Sequence, residues 1–224
     1  MLTARRAAAQ GVPSLLGFTG VPVSIADSVV VPAGYVAEVV YAWGDPVSEG
    51  PGFRPDASGS AQEQIGQAGM HHDGMHFFPL PHGGTSSAHG LLAVNHEYTD
   101  DGLLHVGGME PWTAAKVARS QAAHGVSVVE VRMDGGRWRV VRPSTFGRRI
   151  GAATPIRFDG PLAGHPLLRT AADPTGLSAL GTLNNCANGV TPWGTYLTCE
   201  ENFNAYFVNR SGAVPDLQKR YGIN

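Results

Sequence analysis

The chain alternates short apolar runs with polar segments rich in glycine and proline along most of its length. Apolar runs of roughly four to eight residues between turn formers are typical of β-strands. The segment 47–69 shows no period and predicts an exposed loop. We expect strands at residues 28–31, 36–43, 75–80, 91–95, 126–133, 137–141, 182–183, 194–200 and 205–208.

Two pairs of these strands predict β-hairpins. Residues 75–80 and 91–95 are joined by a polar loop that contains glycine. Residues 126–133 and 137–141 flank Asp134-Gly135-Gly136. An Asp-Gly turn favours a hairpin, because glycine accepts a positive φ at little cost.

One segment departs from the strand pattern. Residues 113–124 are dense in alanine, lysine, arginine and glutamine and precede Gly125, which predicts a short helix. Many strands with a single helical insertion indicate an all-β fold. A β-propeller built from four-stranded units and a β-sandwich both fit this pattern, and alternation alone does not separate them.

The charge balance excludes partners that are bound mainly through charge. The 16 basic and 18 acidic residues give a net charge of -2, so we expect neither nucleic acid nor an anionic membrane as a partner. No apolar run reaches the roughly 18 residues that a membrane-spanning helix needs. The two cysteines, Cys186 and Cys199, are too few for a disulfide scaffold and leave the redox compartment open.

The two ends of the chain lack the features of a closed domain. Residues 1–20 predict a flexible lead-in, and Arg5-Arg6 is not followed by the apolar core of a secretory signal. The last residues, 216–224, show no obvious closing element. We therefore expect 21–224 to be the N-terminal part of a single domain that continues beyond this sequence.

Two clusters of polar residues lie next to predicted strands. His71, His72 and Asp73 precede one strand, and His96 and Glu97 follow another. Adjacent histidines on an extended chain point to opposite faces, so His71 and His72 require a bend to share a metal. Ordinary loop and strand-start chemistry is the preferred explanation of the first cluster, with Asp73 as the main exception. The second fits a functional rim or a solvated strand end equally well.

A third cluster combines thiol, amide and carboxylate groups. Asn185 and Cys186 lie in an asparagine-rich segment, and Cys199 precedes the pair Glu200 and Glu201. Paired carboxylates repel each other unless a cation or a shared proton relieves them, which favours a metal. Oxygen ligands suit calcium, and a single thiolate suits a softer transition metal. The alternative is a Cys186–Cys199 disulfide beside a pair of surface carboxylates.

Segments along most of the chain match the pattern of one known family in the same order. The longest is GTLNNCANGVTPWGTYLTCEENF at 181–203, and the others are at 17–18, 27–35, 43–46, 73–80, 92–99, 125–131, 148–150 and 154–155. The chain resembles the N-terminal portion of the PhoX-type, calcium- and iron-dependent alkaline phosphatases. The resemblance runs from about residue 17 to about residue 207 and includes a long, specific segment.

The resemblance implies a six-bladed β-propeller, of which this chain would form an incomplete part. It also implies hydrolysis of small phosphomonoesters by metal-assisted attack at an iron–calcium cluster, and a monomer where the propeller is complete. Family members are exported through the twin-arginine route to the periplasm or the medium, although no signal peptide is visible here. The resemblance is part of our reason to prefer the propeller over the sandwich.

The resemblance also implies a set of metal ligands. Family members usually carry asparagine at the position of His72, and the consequence of this departure is open. Cys186 corresponds to the thiolate ligand of iron. The candidate carboxylate ligands are Glu97, Glu200 and Glu201, with Asn185 and Asp73 as weaker candidates.

Two classes of function remain for the sequence. The first is an alkaline phosphatase, present here as an N-terminal fragment that we expect to lack appreciable activity alone. The second is a catalytically silent, calcium-stabilised propeller segment that acts as a binding or scaffold module. We further expect Cys186 to be a free thiolate ligand and not half of a disulfide, and Glu97 to converge with at least one of Glu200 and Glu201.

Overall fold

The computed structural model describes residues 17–223. Arg5-Arg6 and residues 1–16 of the expected lead-in therefore lie outside the described residues. The chain divides into two units, Met1–Val39 and Val40–Asn224. Within the described part of the chain, no helix is both long and apolar enough to span a membrane.

The described residues of the first unit, 17–39, form turns and bends without regular structure. The strand predicted at 28–31 is therefore wrong, as is the one at 36–43, which extends into the second unit. The side chains of Val29 and Val36 are each 81% exposed. These segments have no ladder partner among the described residues, and an unpaired strand is not stable.

The second unit contains a five-stranded antiparallel sheet. Strand β3 pairs with β2 along one edge, and β4 and β5 share its other edge, at opposite ends of β3. The two predicted hairpins, β1–β2 and β3–β4, are confirmed. The strands are β1 (His72–Pro79), β2 (His89–His96), β3 (Gly125–Asp134), β4 (Arg137–Val140) and β5 (Arg148–Ile150).

Two further hairpins follow the sheet. Strands β6 (Pro155–Arg157) and β7 (Ser178–Leu180) form one, and β8 (Asn185–Val190) and β9 (Tyr196–Glu200) form the other. Strand β8 lies against β1 and β2. This contact brings the thiol- and carboxylate-bearing segment to the sheet.

Two predictions in this part of the chain are wrong. Residues 182–183 are not in a strand, and residues 205–208 overlap a 3₁₀ turn at Phe203–Tyr206. Side chains of Phe207 and Val208 are 60% and 63% exposed, and no strand pairs with them among the described residues. Apolar content alone therefore overestimates strands where no partner follows.

The helices are short. The predicted helix is confirmed as α3, whose first turn is capped by the side chain of Thr113. The expected loop at 47–69 contains α1, which begins with a reciprocal capping box between Ser60 and Glu63. The helices are α1 (Ala61–Gln64), α2 (Asp101–Leu104), α3 (Ala114–Ala122) and α4 (Asp216–Arg220).

The core lies around β3, which is buried on both faces over most of its length. Val94, Val129 and Val131 pack with Tyr41 and Val47 in the main cluster. The strand-rich, helix-poor structure agrees with the all-β expectation. The six-bladed propeller stays a prediction.

Candidate metal centre

The pairing of β1 with β2 brings two acidic residues to one end of the hairpin. His72, the first residue of β1, pairs with His96, the last residue of β2. Asp73 follows His72 in the chain, and Glu97 follows His96. The two carboxylates therefore lie on neighbouring strands at the same end.

The thiol of Cys186 completes this group from β8. One ligand atom from each of Asp73, Glu97 and Cys186 lies within 4.8 Å of the other two. The carboxylate of Glu201, just beyond β9, lies close enough to this group to raise the pKa values of both Cys186 and Glu97. We call these four residues the acidic cluster.

The acidic cluster has unfavourable electrostatics by itself. Hydrogen bonds to Asp73 and then Glu201 raise the pKa of the Cys186 thiol to about 12. Partial burial, followed by the charges of Asp73 and Glu201, raises the pKa of Glu97. The ion pairs found among residues 17–223 do not include Asp73, Glu97 or Glu201. A cation from outside the chain would relieve this repulsion.

The buried side chain of Asn95 fixes the backbone around the cluster. Its amide nitrogen donates to the carbonyl of Cys186 at 2.7 Å. Its oxygen accepts from the hydroxyls of Tyr196, at 2.9 Å, and Thr198, at 3.0 Å. The Tyr196 hydroxyl is also 3.0 Å from the carbonyl of Gly74, next to Asp73. Asn95 thus links β2, β8 and β9 behind the ligand candidates.

Gly74 permits the close approach of β1 and β8. A Cβ atom at this position would lie 2.6 Å from the carbonyl oxygen of Cys186 and 2.9 Å from the side-chain oxygen of Asn188. Distances below about 3 Å are not tolerated by real side chains without movement. Glycine is therefore required here to hold Asp73 beside Cys186.

The adjacent histidines separate at a bend. His71 has a left-handed backbone, with φ of 46°, and its ring stacks on Tyr98 at 3.7 Å between centroids. The ring of His72 stacks on buried Tyr41 at 5.4 Å instead. Neither histidine belongs to the group of convergent ligand atoms found among the described residues.

The remaining candidates have other contacts. Glu200 accepts hydrogen bonds from the Thr182 hydroxyl at 2.7 Å and from the amide of Leu183 at 3.1 Å. Asn185 is fully buried and donates to the hydroxyls of Thr182 and Thr198. The structure thus brings together four of the six candidates, and Glu200 and Asn185 stabilise the surrounding loop.

Cys186 and Cys199 are both free, and Cys199 is exposed. The expectation that Cys186 is not half of a disulfide is therefore confirmed in this structure, and its role as a thiolate ligand stays a prediction. The disulfide alternative does not describe this structure. Cys199 lies on β9 outside the convergent group, which makes it a matched control for Cys186.

Comparison with known proteins decides the family. A model described as alkaline phosphatase PhoX matches residues 16–224. The chain belongs to the PhoX alkaline phosphatase family. This confirms the resemblance found in the sequence. A search of curated proteins finds no match.

A solved PhoX structure has the same fold over nearly the whole chain. PhoX from Pseudomonas fluorescens, in complex with vanadate, a transition state analogue, is 42% identical with a TM-score of 0.86. The match covers 92% of this chain and 36% of that PhoX chain. This chain therefore spans about a third of the length of the PhoX relative.

The acidic cluster fits the metals expected from the sequence. Three carboxylates supply the oxygen ligands that calcium prefers. The Cys186 thiol supplies the softer ligand that suits iron. The side chains already converge, so binding would require loss of the thiol proton rather than a large rearrangement.

Sequence reasoning missed the residues that position this cluster. The sequence places Asn95 and Tyr196 only within the predicted strands 91–95 and 194–200, although they join three strands behind the ligand candidates. An asparagine at the end of the apolar run 91–94, directly before His96 and Glu97, is the available signal. It could not be interpreted without knowing that β8 lies against β1.

Proposed function

We propose that this chain forms the metal-binding part of a phosphatase site that hydrolyses phosphomonoesters. The observation that carries the proposal is the convergence of the Cys186 thiol with the carboxylates of Asp73, Glu97 and Glu201. Family membership supplies the phosphatase class. We propose iron and calcium as the metals, export to the periplasm or medium, and a monomeric state where the propeller is complete.

The four side chains of the acidic cluster would hold the metals, with Cys186 toward iron and the carboxylates toward calcium. When bound, such cations neutralise phosphate oxygens and align an attacking oxygen with the phosphorus. The chain's own contribution is geometry: Asn95 and Tyr196 hold the backbones that carry Cys186 and Asp73. This rigidity keeps the ligands in place before metals arrive.

Vanadate tests this proposal, because it is bound by the Pseudomonas fluorescens relative. Titration calorimetry should detect vanadate binding to the chain loaded with iron and calcium, and none after chelation. Cys186→Ala should abolish binding, and Cys199→Ala should retain it. Equal binding by both variants, or none by the loaded wild type, would contradict the proposal.

The same titration distinguishes the scaffold alternative. A calcium-stabilised scaffold module would bind calcium without binding vanadate. We also expect the 224-residue chain to hydrolyse 4-nitrophenyl phosphate more slowly than about 1 s⁻¹, an ordinary enzyme rate. A rate at or above that value would show that these residues carry a complete site.

A further inference from the structure

A cavity of about 460 Å³ is bordered by Tyr98, the residue that follows Glu97 of the acidic cluster. Its walls include the rings of Tyr98, Trp112 and Phe207, which are 46%, 43% and 60% exposed. A volume of this size is within the range of small-molecule sites, roughly 300–1,000 Å³. We call it the aromatic cavity.

The aromatic cavity has polar groups among its apolar walls. The hydroxyls of Thr99 and Ser120 lie 3.0 Å apart, and that of Ser120 donates to the carboxylate of Asp101. His124 Nδ1 is 2.7 Å from the carbonyl of Ser120, which can only accept, so this nitrogen carries the proton. Tyr206 places its hydroxyl 2.9 Å from the other nitrogen of His124.

Two walls of the aromatic cavity are continuous with the acidic cluster. Tyr98 directly follows Glu97 in the chain. On the other wall, the Tyr206 hydroxyl is 2.9 Å from the side-chain oxygen of Asn184. The carbonyl of Asn184 accepts from the backbone amide of Glu201, also at 2.9 Å. Residues that border the cavity therefore connect to two ligand candidates.

The chemistry of the cavity selects its occupant. A flat aromatic group is the ligand that buries the most apolar surface against exposed rings around a pocket. The carboxylate of Asp101 disfavours a phosphate within the cavity but accepts hydrogen bonds from hydroxyl or amino groups. A phosphomonoester whose alcohol carries an aromatic ring would thus place that ring here and direct its phosphate toward the metals.

We propose that the aromatic cavity binds the organic half of the substrate, an alcohol that carries a flat aromatic ring, such as a nucleoside. The phosphate of the same substrate would lie at the metal centre. This rests on the proposed function, because it takes the ligand to be the alcohol of a phosphomonoester. Trp112 and Phe207 would then be specificity-determining residues. Small aliphatic phosphomonoesters would forgo these contacts.

Adenosine, which has no phosphate, tests the proposal without metals. The chain contains four tryptophans, so its indole N–H groups report separately in ¹⁵N-labelled protein. With EDTA present, adenosine should shift the Trp112 signal, and ribose should not. Phe207→Ala should weaken adenosine binding about tenfold, as expected for one lost stacking contact. Leu197→Ala removes an exposed apolar side chain outside the cavity and should leave binding unchanged.

Three results would overturn the proposal: no adenosine-dependent shift of Trp112, an equal shift with ribose, or equal weakening by the two variants. The first would favour a protein segment as the cavity's occupant. Because adenosine binding needs no metal, it is separate from the vanadate test. Adenosine binding without vanadate binding would retain the cavity as a nucleoside site and remove the phosphatase proposal. Vanadate binding without adenosine binding would retain the phosphatase proposal and remove the nucleoside site.

Discussion

The ends of β1 and β2 supply side chains to two polar regions of opposite charge. The rings of His72 and His96 lie 4.8 Å apart, whereas the residues that follow them, Asp73 and Glu97, belong to the acidic cluster. The inner region is centred on Arg149. We call Arg149 with His72, His96 and His124 the basic cluster.

The basic cluster is held by the chain's own groups. The guanidinium of Arg149 donates to the carbonyls of Ala122 at 2.9 Å and His124 at 2.7 Å. Desolvation lowers its pKa to about 10. Burial, and then the charge of Arg149, holds the pKa of His96 well below its usual value, so its ring is neutral. His96 also contacts the hydroxyl of Ser127 at 2.6 Å.

The acidic cluster differs because it gathers like charges without an ion-pair partner among the described residues. In the basic cluster, the charge of Arg149 is stabilised by backbone carbonyls and surrounded by neutral rings. The charge in the acidic cluster has no ion-pair partner of this kind among residues 17–223. The difference agrees with a structural role for the basic cluster, and the ligand-binding role of the acidic cluster stays a proposal.

Among the substitutions considered, removal of the Arg149 guanidinium from the basic cluster should lower the unfolding free energy most. Arg149→Met leaves the carbonyls of Ala122 and His124 without their donor, at a cost of about 2–4 kcal/mol in unfolding free energy. Arg148→Met, at the neighbouring exposed residue, should cost less than about 0.5 kcal/mol. Urea unfolding measures both. Equal losses would show that the basic cluster is not what stabilises this region.

The pH dependence of stability should sharpen the comparison. Burial lowers the pKa of His124; the hydrogen bond to the Ser120 carbonyl and the charge of Asp101 oppose this effect, and the charge of Arg149 adds slightly to it. Its neutral form is therefore favoured on folding, and the unfolded chain gains a proton first as the pH falls below about 6.5. Stability should fall by up to about 1.4 kcal/mol per pH unit for this histidine.

His124→Gln should flatten that slope between about pH 6.5 and the lowered pKa of His124 in the folded chain. His165→Gln changes an exposed histidine and should leave the slope unchanged. Urea unfolding at a series of pH values provides the measurement. A slope unaffected by His124→Gln would contradict a neutral, buried His124.

Loss of one hydrogen bond in the interior should have a smaller effect. The hydroxyl of Tyr41 donates to Ser127 at 3.0 Å, beside His96. Tyr41→Phe should lower the unfolding free energy by about 1 kcal/mol. Tyr35→Phe alters an exposed ring and should change it by less than about 0.5 kcal/mol.

In the acidic cluster, removal of a charge should raise the stability of the metal-free chain, whereas the substitutions in the basic cluster lower it. Glu97→Gln removes one of the converging charges, so it should raise the thermal midpoint in EDTA by roughly 1–3 °C. With iron and calcium added, the same substitution should lower the midpoint relative to wild type. A decrease in both conditions would mean that Glu97 is structural and not a ligand.

Local patterns were sufficient to predict much of the sheet. The Asp-Gly turn and the flanking valines correctly indicated β3 and β4. The cap at Thr113 and the Gly125 stop are likewise local, and they define α3. Exposed valines in the first unit misled the strand prediction, because strand formation depends on a partner that the local sequence does not specify.

The site was predictable in residue type but not in arrangement. The resemblance identified Cys186 and the carboxylates, yet it could not separate Glu200 from Glu201. That distinction depends on the turn after β9, which directs Glu200 to Thr182 and Glu201 to the Cys186 thiol. The positions of Asn95 and Gly74 depend on the contact of β8 with the sheet, which links distant parts of the chain.

The central claim is that the acidic cluster is a metal centre, and metal content tests it most directly. The chain is loaded with iron and calcium, desalted and analysed by inductively coupled plasma mass spectrometry. Wild type and Cys199→Ala should retain both metals, and Cys186→Ala should lose its iron. No metal above background in the wild type, or the same iron content in the two cysteine variants, would contradict the account.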